Sequence, residues 1–281
     1  MKNSMKVIQK NVKDIYTKSQ LPAADIVVNP YVGCTHKCIY CYACFMKRFM
    51  KIDEVWGEYI VIKDWQTKNL KKLENKTVLF SSVTDPFQPL NLKYKKTQKA
   101  LMEIKNSNID TNVEILTKSK LILKELKLIK SISNIKVGIS LATLNDKISK
   151  RIEPGASLSS ERIQTLKTLH NEKIKCYVFI SPIIPHITNV FQIIDEVYEY
   201  VDYICFENLN LRSPYKCEVL NFAKEVLPKD KYQNFERIFN DSNYGIRYWQ
   251  QLEKRIEKYC QAKHVTYKLY FYHNKIKKGK R

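Results

Sequence analysis

Four of the chain's eight cysteines fall between residues 34 and 44, inside NPYVGCTHKCIYCYAC at 29–44. Thiols at that density ligate metal, pair as disulfides, or line a buried helix face. The chain opens with MKNSMKVIQKNVKDIYTKSQ, which has no apolar stretch of the secretory kind and carries five lysines against one aspartate. The expected compartment is the cytoplasm, where thiols stay reduced and clustered cysteines more often bind metal or do chemistry than form bridges. Cys34, Cys38 and Cys41 also sit at i, i+4 and i+7, the spacing of one helix face. Gly33, Thr35 and the upstream Pro30 argue against that face, because they read as a strand end entering a loop.

Two metal chemistries fit three or four thiols. A structural zinc site closes four ligands around one ion, commonly from two short knuckles. Cys44 and His36 lie close enough in sequence to contribute, but a second knuckle is missing: Cys176, Cys205, Cys217 and Cys260 are scattered singly. An iron–sulfur cube spreads its ligands over several irons, which suits three cysteines in one tight loop and leaves one iron open to a small molecule. On that reading Cys44 is surplus, a packed thiol in the helix that follows.

The elements that would position this loop are legible as hydrophobic runs. Short stretches rich in Val, Ile, Phe and Tyr occur at 25–32, 76–83, 112–118, 135–142, 175–183 and 201–209. Their near-continuous apolarity suits strands buried on both faces of a parallel sheet. Between them, 121–132 and 160–170 carry apolar residues three and four apart, and Ser159 or Ser160 is placed to cap the second. Six strands alternating with helices predict an α/β fold. After 210 the rhythm changes to helices over 213–260, and then to a period-two segment at 264–273 expected as an edge strand or hairpin arm. The expected organisation is a lead-in at 1–24, a core at 25–210, and an extension at 211–281 ending in a basic tail.

The composition is globular, with 44% hydrophobic and 27% charged residues, and no apolar run reaches the roughly 18 residues of a membrane span. The net charge of +21 favours an anionic partner, nucleic acid first. Of the 49 basic residues 41 are lysines, however, which is also what an AT-rich coding sequence produces.

The three-cysteine loop C-x3-C-x2-C, with Tyr40 before its last cysteine and a β/α body behind it, resembles the radical SAM superfamily. NPYVGCTHKCIYCYA, SSVTDPFQPLN, GISLATLNDKISKRIEPGASLSSERIQTLKTLH and VFISPIIPHI resemble more closely its branch related to spore photoproduct lyase, most like the group called radical SAM mobile pair protein B. The resemblance implies a partial (β/α)6 TIM-like barrel and an enzyme. It implies a [4Fe-4S] cluster on Cys34, Cys38 and Cys41, with S-adenosylmethionine chelating the fourth iron and Tyr40 near the adenine. Reductive cleavage of that cofactor would yield a radical that takes hydrogen from substrate, fed by an external electron donor. The group's name further implies a second radical SAM protein as partner.

Strand ends should then supply the remaining contacts. Ser82 lies where relatives bind the methionine amine, and Asp85 is the candidate catalytic residue, by a charge-assisted bond to that ammonium or by positioning substrate. Asp85 also reads as a turn former before Pro86. Ser140 and Ser181 end the fourth and fifth strands as cofactor contacts. Arg162 is the candidate for the methionine carboxylate, with an ion pair to Glu153 or Glu161 as its plainer role. His186, Glu207, Asn208 and Asn210 are polar at the presumed mouth. Spore photoproduct lyases place a hydrogen-donating cysteine three residues before the acidic residue, whereas here that position is Ser82, so their repair activity does not carry over. The contrasting reading is a zinc- or cluster-bearing nucleic-acid binding module without radical chemistry.

Overall fold

A computed structural model describes residues 5–50, 52–211 and 214–271. The strands are β1 (Lys6–Asn11), β2 (Tyr16–Lys18), β3 (Ile26–Val28), β4 (Tyr31–Val32), β5 (Tyr59–Asp64), β6 (Thr77–Phe80), β7 (Asn112–Thr117), β8 (Ile135–Leu141), β9 (Lys175–Ile183), β10 (Tyr203–Asn208) and β11 (Tyr267–Leu269). Eight of them form one sheet in the order β11-β10-β9-β8-β7-β6-β3-β2. Within it β3, β6, β7, β8, β9 and β10 run parallel in chain order, the six parallel strands that the alternating pattern predicts and the partial barrel that the resemblance implies. The two edges differ: β2 pairs antiparallel with β3, while β11 adds in parallel to β10 as an edge strand rather than a hairpin arm.

The helices are α1 (Asn91–Tyr94), α2 (Lys96–Asn106), α3 (Leu126–Lys130), α4 (Asp146–Ile152), α5 (Ser159–Asn171), α6 (Val190–Val197), α7 (Lys216–Val226), α8 (Lys229–Asn240) and α9 (Ser242–Ala262). Val78, Phe80, Val113, Ile115, Val137 and Ile139 point one way from the sheet, into the main core beneath the helices. On the other face of the same sheet, Leu116 of β7, Tyr177 and Phe179 of β9, and Tyr203 and Cys205 of β10 make a separate cluster. This period-two division is why the strands read as continuously apolar.

Several local expectations shift. The segment at 25–32 is two strands in two sheets, divided at Asn29-Pro30, where proline removes a ladder donor. β4 leaves the barrel to join β1 and β5 in a small three-stranded sheet. The stretch 121–132 is a 3₁₀ turn at Lys120–Glu125 followed by α3, rather than one helix. Helix α5 is not capped by Ser159 or Ser160. The Leu158 N–H donates to Glu161, and the Ser160 hydroxyl and N–H both donate to Asp146. Asn145, Asn189 and Asp241 do cap α4, α6 and α9 through their side-chain oxygens. Among the described residues no helix is long and apolar enough to cross a membrane. The basic tail at 274–281 lies outside the described residues.

Candidate active site

The cysteine loop leaves β4 through Gly33, whose φ of +97° lies in the left-handed region. A Cβ there would stand 2.4 Å from the Tyr59 carbonyl oxygen on β5, so glycine is what lets the loop turn against that strand. Two other segments then hold the loop. From the turn after β6, the Thr84 hydroxyl donates to the Gly33 carbonyl at 2.6 Å, and Gln88 accepts from the Thr35 N–H at 3.0 Å. From the end of α4, the Ile39 N–H donates to the Ile152 carbonyl and the Gly155 N–H to the His36 carbonyl, both at 2.9 Å. Gly155 has no room for a side chain, since a Cβ would lie 2.0 Å from the Thr35 carbonyl oxygen. The RIEPGAS segment is thus a clasp on the cysteine loop.

Asp85 is buried, and the turn uses both of its oxygens. Oδ1 accepts from the Thr117 hydroxyl at 2.7 Å and the Phe87 N–H at 2.9 Å, and Oδ2 from the Lys118 N–H at 2.7 Å. His36 Nδ1 stands 3.5 Å from that same Oδ2. With those donors in place, the carboxylate fixes the geometry between β6, β7 and the cysteine loop. Ser82 sits at the mouth, hydrogen-bonded by the Asn29 side chain to both its hydroxyl and its N–H.

Arg162 takes the plainer of its two expected roles, the ion pair to Glu153. It is fully buried, and its guanidinium donates to the carbonyls of Ser157 and Ser140, to the Ser149 hydroxyl, and to the Glu153 carboxylate. No outward-facing fork is left for a methionine carboxylate. Glu153, equally buried, also accepts from the Tyr40 hydroxyl. Burial alone would raise the Glu153 carboxyl, but Arg162 and Lys118 more than offset it and hold it below the usual carboxylate range. The Arg162–Glu153 pair therefore stays ionised and locks the Tyr40 ring, on the cysteine loop, to the clasp.

Ser140 is buried at the end of β8 and donates to the Ser181 carbonyl at 3.3 Å; the Ser181 hydroxyl donates to Glu207. These two serines come together with Glu207 along the upper rim. His186 does not join them, since its Nε2 pairs with Asn234 at 2.8 Å. The Asn208 Oδ1 is buried there without a hydrogen-bond partner among the described residues.

Sequence reasoning passed over Lys118, the residue that closes β7. Its ammonium lies 5.9 Å from the centre of the Tyr40 ring, and among the described residues it makes no ion pair. Burial pulls its pKa down, but Cys38 and Glu153 more than offset that, so the group is held protonated beside the cysteine loop. A charged residue ending an apolar strand was the available signal, masked by a chain with lysine throughout.

The three cysteines fit a cluster by the chemistry of their surroundings. Burial pushes the Cys34 thiol up to about 12 and raises Cys38 and Cys41 as well, so only a bound cation would make them thiolates. The Cys41 N–H donates to the Cys38 carbonyl at 3.1 Å, which keeps these two cysteines on one tight turn. Three cysteines in one tight loop suit an iron–sulfur cube, whose ligands spread over separate irons. Two further polar atoms of the loop, Thr35 Oγ1 and His36 Nε2, are buried without protein partners. Cys44 lies one helical turn on, half-buried, its sulfur 3.8 Å from the Tyr42 carbonyl.

Comparison with known proteins agrees with this geometry. The family model described as the Radical SAM superfamily matches residues 28–197, well over half of the chain. The chain belongs to the radical SAM superfamily. An uncharacterised protein of Methanocaldococcus jannaschii is 33% identical over 261 residues, covering 92% of this chain and 96% of that one. Among solved structures, a spore photoproduct lyase complexed with a dinucleoside spore photoproduct superposes with a TM-score of 0.67 at 15% identity, covering 94% of this chain and 82% of that one. Streptococcus suis SuiB bound to S-adenosylmethionine gives 0.55 at 14% identity, covering 87% and 49%. At those identities the two structures show the shared fold alone. As a radical SAM enzyme the protein uses a [4Fe-4S] cluster and S-adenosylmethionine, which it cleaves reductively.

Proposed function

We propose that this radical SAM enzyme removes a hydrogen atom from a nucleic-acid substrate presented at the barrel mouth. The observation that carries the site assignment is the clasped loop of Cys34, Cys38 and Cys41, with the Lys118 ammonium 5.9 Å from the centre of the Tyr40 ring. With cluster and S-adenosylmethionine in place, the cofactor pair supplies one-electron cleavage of a sulfonium and the power to take hydrogen from carbon. The chain's own residues bind and orient. Cys34, Cys38 and Cys41 hold the cluster, and Lys118 takes the carboxylate role that Arg162 cannot fill. Tyr40 packs beside Lys118 with its hydroxyl tied to Glu153. Ser82, Ser140 and Ser181 line the rim where cofactor and substrate meet, and Asp85 sets the rim's geometry.

Two features support nucleic acid as substrate: the net charge of +21, and the likeness in fold to a lyase whose solved complex holds a dinucleoside. The chemistry differs from repair by a returning thiol, because Ser82 offers an O–H, a far poorer hydrogen-atom donor than a thiol. The test is hydrogen transfer. Reduced, reconstituted enzyme incubated with deuterated DNA or RNA should deliver deuterium into 5′-deoxyadenosine, read by mass spectrometry. Label arriving only from deuterated peptides would contradict the nucleic-acid reading.

A further inference from the structure

A 3₁₀ helix at Tyr42–Phe49 begins one residue after Cys41. Three residues per turn put Tyr42, Phe45 and Arg48 in one row. The other side of the helix is anchored. Ala43 is buried, and Met46 packs with Met50 against Val32, Tyr59 and Val61 of the small sheet. The row itself faces solvent, and the neighbouring Phe49 is 63% exposed, so these rings are not needed by the core. Tyr42 and Phe45 lie nearly parallel, 6.4 Å apart at 19°, and Phe49 meets Phe45 edge-on at 6.3 Å. The Arg48 guanidinium covers both phenylalanines, 5.4 and 4.7 Å from their centres.

We infer that this ridge is the docking surface for a single-stranded segment of nucleic acid, which it leads into the barrel mouth; the inference rests on the nucleic-acid reading above. Exposed rings with an arginine among them match unpaired bases, whose π-faces stack without regard to sequence, while the guanidinium also grips phosphate. The ridge is continuous with the active site, because the Tyr42 hydroxyl donates to the Ser82 carbonyl at the rim. Glu54 and Glu58 are paired with Lys6 and Lys37; of the carboxylates that act on this helix, Glu207 near Tyr42 accepts from the Ser181 hydroxyl, and Glu218 lies near Cys44. A second copy of this chain is a poorer occupant, since two bodies at +21 repel each other.

Fluorescence anisotropy of the reconstituted full-length enzyme with a labelled oligothymidylate of about 12 nucleotides tests this, a length within single-strand site sizes. The single strand should bind more tightly than the matching duplex. Phe49→Ala should weaken it about tenfold, Phe49→Trp should restore it, and Arg48→Ala should flatten the salt dependence by about 0.7 in the log–log slope. Iron content and circular dichroism should be unchanged in all three variants. Variants that bind like the parent, or equal affinity for duplex, would overturn the ridge assignment while leaving the substrate reading intact. Failure of every form to bind DNA or RNA would instead remove the substrate reading. Variants that keep DNA affinity but lose reduction by an acidic flavodoxin would give the ridge to the electron donor. A dimer abolished by Phe49→Ala would give it to a second copy, and either result overturns the inference.

Discussion

Glu153 and Arg162 face each other with almost no exposure, and a buried pair of this kind is most sensitive to losing one member. Glu153→Gln leaves Arg162 buried without its counter-charge and should cost about 3–5 kcal/mol, measurable by urea denaturation. The pH dependence follows from the same carboxyl. Its folded pKa is depressed below the ordinary 4.5, so its contribution is fully present above about pH 4.5 and is lost as the pH falls through the folded value. Glu153→Gln should therefore show a shallower loss of stability below pH 4.5 than the parent; equal slopes would contradict the ion pair. For Lys118, a charge-assisted bond to the cofactor carboxylate is at stake. Lys118→Met should weaken S-adenosylmethionine binding about tenfold or more, with Lys118→Arg recovering part of it, as read by equilibrium dialysis. At this scale the three-cysteine spacing was legible as a candidate cluster loop. The Arg162–Glu153 pair was legible as the plainer of two roles, but its burial and the place of Lys118 were not, because nothing local shows that the carbonyls of Ser140 and Ser157 converge on the arginine.

The element that decides loop placement is the clasp at 152–155. Gly155→Ala sets a methyl against the Thr35 carbonyl oxygen, backbone that cannot yield as a side-chain tip would. The expected result is a folded protein with native circular dichroism that retains less iron after reconstitution; full iron content would show that the loop tolerates displacement. All six barrel strands were legible, because strands buried on both faces read as unbroken apolar runs. β1 was not, since KVIQKN is mostly exposed and patterned like a polar lead-in. β5 offered a run at 59–62 that went unread, and it is the strand against which Gly33 turns. The break at Asn29-Pro30 is likewise a tertiary fact: Asn29 caps the β6 turn through the Ser82 and Val83 N–H groups instead of extending the strand.

Across the whole molecule, the helices after the barrel are part of the site. Phe222 of α7 and Phe235 of α8 share a buried cluster with Tyr40, Ile152 and Leu209, so the C-terminal region closes the core beneath the cysteine loop. Phe235→Ala should cost about 3–5 kcal/mol and lower cluster retention together with stability. A cavity of about 930 Å³ opens at the opposite end, among the starts of β6 to β9, lined by Lys130, Lys136, Lys175 and Lys268. It belongs to the foot of the barrel, away from the strand ends where β/α barrels do chemistry. The central claim concerns the loop at the mouth, and anaerobic reconstitution with iron and sulfide tests it most directly. The parent and Cys44→Ala should each take up four irons and four acid-labile sulfides and, once reduced, cleave S-adenosylmethionine to 5′-deoxyadenosine, while Cys38→Ala should do neither. Zinc without sulfide in the parent, or full cluster and cleavage in Cys38→Ala, would contradict it.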